Sequence, residues 1–81
     1  MRPRGGLDVA RVDLVLLARA VIMAAQITDE QAREDTICPN NMQNIIVIST
    51  PYQNNATSYV NVQKLHTNQG LFEVATYVVA P

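Results

Sequence analysis

From Leu7 the apolar positions recur in steps of three and four. Leu7, Ala10, Leu14, Leu17, Val21 and Ala24 fall on one face at helical spacing. The opposite face carries Asp8, Arg11, Arg19 and Gln26, and Val15 and Ile22 intrude on it. Such a helix is apolar over more than one stripe, so its surplus faces a partner or a second buried surface. Thr28, three residues before Gln31, has the form of a capping box, with Asp29 and Glu30 well placed in a new first turn. The pattern therefore predicts helix over residues 7–35, either unbroken to Arg33 or broken near Ile27 and restarted to about Asp35.

Cys38-Pro39-Asn40-Asn41 reads as a turn, and beyond it the period changes. The β-branched run Asn44–Ser49 predicts a buried strand. Pro51 to Asn55 reads as a loop. Ser58 to Leu65 reads as a strand, with Val60 and Val62 on one face and Tyr59, Asn61 and Gln63 on the other. His66 to Gly70 predicts a hairpin loop, Gly70 supplying a positive φ. Leu71 to Val79 predicts a third strand. Residues 1–6, with Pro3 and the Gly5-Gly6 pair, read as a disordered leader. The expected fold is α+β, a single small domain in which the N-terminal helix packs on a three-stranded antiparallel meander spanning residues 44–79.

Charge sharpens the division. Residues 1–35 hold eleven charged side chains, whereas residues 36–81 hold only Lys64 and Glu73. Soluble domains average about a quarter charged residues, so the second part is far below expectation. Polarity there comes from Asn, Gln, Ser and Thr. A sheet so poor in charge has little to keep its edges from pairing with other chains, and Asn44–Ser49 is an aggregation hazard if exposed at an edge. A chain of 81 residues buries a modest core, and one cysteine rules out a disulfide within it. Association is the remaining source of stability.

Chemistry is thinly represented. Cys38 and His66 are the one cysteine and the one histidine, the minimal parts of a thiolate nucleophile and its base. The plainer reading is a small packed cysteine and a solvated histidine. Asp29, Glu30, Glu34 and Asp35 cluster, with Glu30 and Glu34 on one helix face, but calcium-loop spacing is missing and Arg33 sits among them. Tyr52, Tyr59, Tyr77 and Phe72 offer rings for stacking on bases, yet Lys64 is the one cation of that half, which argues against nucleic acid. Asn55-Ala56-Thr57 fits the N-glycosylation pattern. Neither a phosphate-binding glycine loop nor a zinc spacing is present, and nothing in the chain calls for a cofactor.

The predicted function is a non-catalytic interaction or assembly module acting through its charge-poor sheet. Its partner is protein, first of all another copy of itself, through Val15 and Ile22 on the helix and Tyr59, Asn61, Gln63 and Tyr77 on the sheet. An alternative treats Leu14–Ala25 as a secretory signal core: residues 1–25 are then a removed leader, and the mature chain is a periplasmic or cell-surface binder or inhibitor. Arg19 within the run and Asp8 and Asp13 before it weigh against that, and a membrane-spanning helix needs ~20 apolar residues. A Cys38-dependent enzyme is the third reading.

Overall fold

The computed structural model describes residues 1–78. The architecture is α+β, with strands β1 (Arg2–Pro3), β2 (Thr36–Asn40), β3 (Ile45–Ser49), β4 (Lys64–Thr67) and β5 (Gly70–Ala75), and helices α1 (Leu14–Ala25) and α2 (Gln53–Val60). All pairings are antiparallel. β2 and β3 form one sheet, and β1, β5 and β4 form a second in that order.

The helix expected over 7–35 is confined to Leu14–Ala25, because two aspartates each cap their own turn. Asp8 accepts from the Ala10 amide and opens a single 3-10 turn, Val9–Arg11, after which Val12 is extended. Asp13 accepts from the amides of Val15 and Leu16 at 2.9 and 3.2 Å and starts α1. α1 ends where Gln26 turns left-handed at φ 59° and its amide meets the carbonyls of Ile22 and Met23. The break near Ile27 is therefore present. The capping box also forms: Thr28 N–H donates to Gln31 Oε1 at 2.8 Å, and Gln31 N–H donates to Thr28 Oγ1 at 3.0 Å. It caps only a run of turns, with Ala32, Arg33 and Asp35 amides reaching back to Thr28, Glu30 and Ala32. So few residues cannot offset the cost of helix nucleation before β2 begins.

The turn expected at Cys38–Asn41 lies further on. Cys38 and Pro39 belong to β2, and Asn40 Oδ1 accepts from Met42 and Gln43 to close a hairpin that Asn44 completes at φ 52°. Pro39 is tolerated because β2 is an edge strand, where a missing N–H can face outward. β3 is the strand expected over Asn44–Ser49, starting one residue later.

The strand expected over Ser58–Leu65 is overturned in its first half. Residues 53–60, expected as loop and then strand, form α2, and β4 starts only at Lys64. Asn, Thr and Ser are poor helix formers, so tertiary ties hold this helix. Asn55 and Tyr59, one turn apart, are both buried and bonded to the 28–35 turns. The next hairpin is tighter than expected. His66 and Thr67 pair with Leu71 and Gly70, leaving Asn68 and Gln69 as the turn, and Gly70 takes φ 130°. Lys64 and Glu73, the two charges of the second part, stand directly opposite each other across this ladder. β5 ends at Ala75, and the last residue of the expected third strand, Val79, lies outside the described residues.

Residues 1–6 are not a disordered leader over their first half. Arg2 and Pro3 pair with Ala75 and Val74, and the Arg4 amide donates to the Glu73 carbonyl at 2.9 Å. On the other side Met1 and Ile46 exchange two backbone hydrogen bonds, of 2.9 and 2.8 Å. That exchange seams the two sheets in the order β2-β3-β1-β5-β4. Its inward side chains, Ile37, Ile46, Ile48, Leu65, Phe72 and Val74, meet Leu17, Val21 and Ala25 of α1 and Tyr59 of α2 in one core. Leu7, Val9 and Val12 complete it. Burial of this apolar surface is the main stabilising term.

Candidate functional site

β3 and β5 flank β1, but β1 is short. It pairs with β3 at Met1 alone, while β3 runs on to Ser49 and the chain after β5 runs on through Thr76, Tyr77 and Val78. Beyond Met1 the sheet therefore has a slot. Its volume is about 510 Å³. One wall is Ile45–Thr50, the other Thr76–Val78, the closed end is Met1, and Ala56, Tyr59 and Val60 of α2 line it as well. No lining residue has a charged side chain.

The backbone of both walls is oriented by the register. Ile46 directs its N–H and C=O at Met1, and successive residues of a strand alternate direction, so Ile48 directs its own pair into the slot. On the other wall Val74 N–H donates away, to the Gln63 carbonyl, while Glu73 faces β1. Beyond β5, Tyr77 lines the slot.

The six residues expected at an interface do not form one surface. Tyr59 and Tyr77 meet at the slot, Tyr77 exposed and Tyr59 buried. Tyr59, Asn61 and Gln63 do not share a strand face, because Tyr59 is on α2 and Asn61 caps its end. Gln63 lines a separate depression with Arg4, Lys64 and Glu73. Val15 and Ile22 lie on α1, Val15 65 % exposed and Ile22 half-buried. Leu16 and Met23 extend that outward apolar surface.

Behind the slot is a polar knot that the sequence pattern does not reveal. Asp35 Oδ2 accepts from the Tyr59 hydroxyl at 2.7 Å and from Asn55 Nδ2 at 3.0 Å, and Asn55 Nδ2 also donates to the Gln31 carbonyl at 2.7 Å. Burial, then the hydrogen bond to Asp35, pushes the Tyr59 phenol well above its ordinary range. Nearby, the exposed Tyr52 hydroxyl donates to Glu34, and that bond raises its pKa too. The i, i+4 spacing of Asn55 and Tyr59 was the available signal, and it marks a helix rather than a strand.

The knot uses both side-chain N–H groups of Asn55. A buried amide already donating twice is not open to glycosylation, so the Asn55-Ala56-Thr57 pattern is not an acceptor in this fold. The carboxylates disperse likewise, Glu34 to Tyr52 and Asp35 to the knot, and among the described residues no three metal-ligating side chains converge. Cys38 and His66 sit on β2 and β4, opposite ends of the strand order. No hydrogen bond links them. The aromatic rings share no platform either, since Tyr59 is buried and Phe72 packs against the core. Among the described residues no helix is long and apolar enough to cross a membrane.

Compared with known proteins, the chain matches no protein family, no curated protein and no solved structure.

Proposed function

We propose that this chain is a non-catalytic interaction or assembly module that engages other polypeptide through its charge-poor sheet and self-associates. The observation that carries the reading is the edge of β3 beyond Met1, unpaired among the described residues and bordering a slot lined without a charged side chain. Unpaired strand groups are templates for another chain. Self-association draws on a second surface, the outward side of α1, where Val15, Leu16 and Met23 are 65 %, 46 % and 75 % exposed.

Neither alternative gains support. The removed-leader reading takes away α1 and β1, and with them Leu7, Val9, Val12, Leu17, Val21 and Ala25 from the core. The Cys38 enzyme lacks its base, since His66 is on the far edge.

Sedimentation velocity across the micromolar range tests the self-association part. The expected result is a concentration-dependent shift toward dimer or larger species, weakened by Val15→Glu with Met23→Glu. A monomer at every concentration overturns it.

A further inference from the structure

We infer that two copies of this chain join by pairing their β2 strands edge to edge, antiparallel, with Cys38 on the two-fold axis. The inference rests on the self-association read above and fixes where the copies meet.

The register of the β2–β3 ladder shows which groups β2 turns outward. Ile46 spends its N–H and C=O on Met1. Its neighbour Pro39 therefore bonds nothing on β3, and the pairs alternate from there. Asn40, Cys38 and Thr36 bond to β3, while Ile37 and Pro39 direct their backbone groups outward. The free edge thus offers one donor, the Ile37 N–H, and two acceptors, the Ile37 and Pro39 carbonyls. None of the three has a backbone partner among the described residues. β3 lies between this edge and both Met1 and residues 76–78.

Three arguments select a second copy as the occupant. The first is self-complementarity. Centred on Cys38, the pairing overlaps β2 along its whole length and sets Ile37 of each copy opposite Pro39 of the other. Each Ile37 N–H then donates to that Pro39 carbonyl, and symmetry makes the bond twice. Pro39 has no N–H to return, so the Ile37 carbonyls stay with water. Centring on Pro39 forms no bond at the axis. Centring on Ile37 shortens the overlap and sets Pro39 against Asp35, whose amide is already given to Ala32. Charge is the second argument. β2 holds no charged side chain, so nothing on it repels an identical strand. The opposite edge, β4, carries Lys64, a cation of the kind that keeps edges apart. Packing is the third. Cys38 is exposed beside Val47 on the outer face, and Val47 is 47 % exposed. The pairing joins these two side chains to their copies in one apolar row across the axis. A strand already formed also loses less freedom on binding than an unstructured one.

The test is disulfide trapping in the full chain, whose one cysteine is Cys38. Two residues facing each other at the axis, without bonds between them, have Cα atoms about 4.5 Å apart, within disulfide reach. Copper phenanthroline in air is the oxidant, taking two electrons from two thiols. The expected result is a disulfide-linked dimer. A Thr36→Cys, Cys38→Ser chain, its thiol equally exposed on the same strand, is not trapped with itself. Mixed with an Asn40→Cys, Cys38→Ser chain it is, because positions 36 and 40 oppose each other. Sedimentation of the Val15→Glu, Met23→Glu chain reads the edge apart from α1. There Cys38→Ser leaves association unchanged, and Cys38→Lys weakens it by up to about fivefold by setting like charges opposite. Mixing Cys38→Lys with Cys38→Glu restores it. Equal trapping at positions 36 and 38, or none at 38, overturns the inference. If the chain still sediments as a dimer, self-association stands and only its site is wrong. Amide shifts at Ile37 on adding a capped (Thr-Val)3 peptide, with no trapping at 38, overturn it in favour of a foreign strand. A monomer at every concentration removes both readings, any trapping then recording collision alone.

Discussion

Among the described residues two that are not glycine take left-handed backbone, Gln26 at φ 59° and Asn44 at φ 52°, and glycine at each has opposite expected effects. Gln26 is exposed, and its side chain makes no hydrogen bond among the described residues. Left-handed backbone costs an ordinary residue about 1–2 kcal/mol, and glycine's extra freedom in the unfolded chain returns about 0.4–1 of that. Gln26→Gly is therefore expected to stabilise by about 0.5–1 kcal/mol. Asn44 is different, because its side chain has a task. Oδ1 accepts from the Val9 amide and Nδ2 donates to the Leu7 carbonyl, each at 2.9 Å. Both partners belong to residues only 1 % exposed. Glycine there leaves both backbone groups unpaired at about 1–3 kcal/mol apiece, while Asn gains little strain relief because it visits this region readily. The expected loss for Asn44→Gly is about 2–4 kcal/mol. In a chain of this size that lowers the Tm by on the order of 10 °C or more, against a rise of about 4 °C for Gln26→Gly. Urea denaturation followed by circular dichroism, with unchanged slope, measures both. An Asn44→Gly protein as stable as the parent would refute the claim that this side chain staples the 7–12 segment to the β2–β3 hairpin.

Tyr59→Phe keeps the buried ring and removes only the hydroxyl held by Asp35. Burial keeps the folded phenol above its unfolded value, so stability is whole below about pH 10 and falls as pH rises beyond it, where only the unfolded chain ionises. Tyr59→Phe should flatten that alkaline loss in thermal melts, while Tyr52→Phe, altering an exposed hydroxyl, changes stability at neutral pH far less. Thr28→Ala should cost about 0.5–2 kcal/mol in the same urea assay, because the Gln31 amide loses its acceptor. Cys38 is exposed on β2, so an alkylating reagent should add one adduct by intact mass without denaturant. Labelling only in urea would show that this face of the hairpin is covered.

Legibility followed the range of the interactions. Thr28 and Gln31 announce each other three residues apart, and Gly70 announces its turn alone, so both were readable locally. β3 was readable because Ile45, Ile46, Val47 and Ile48 leave few alternatives. α2 was not, since Val60 and Val62 mimic strand alternation and the helix depends on Asn55 and Tyr59 reaching Asp35, twenty or more residues away. The helical stripe from Leu7 to Leu14 failed as burial except at Leu7: Ala10 and Leu14 are exposed, and Val9 and Val12, outside the stripe, are in the core instead. As helix it failed because Asp8 and Asp13 compete for the backbone amides. The slot was invisible for a topological reason: its walls come from residues 45–50 and 76–78, and the short strand between them is residues 1–3.

That short strand also governs the order in which the molecule can be completed. Arg2 meets Ala75, 73 positions later in the chain. On the ribosome, residues 1–3 emerge well before β5 and have no ladder to join until it has been made. The β2–β3 hairpin can form early from local contacts, but its seam to the rest must wait until β5 has been made. Loop closure over such a span slows folding. Until it closes, the same backbone groups of β3 that later border the slot are open to any strand nearby. The growing chain therefore has most need of protection from mispairing between the synthesis of β3 and that of β5, when β3 is formed and its proper neighbour is still unpinned.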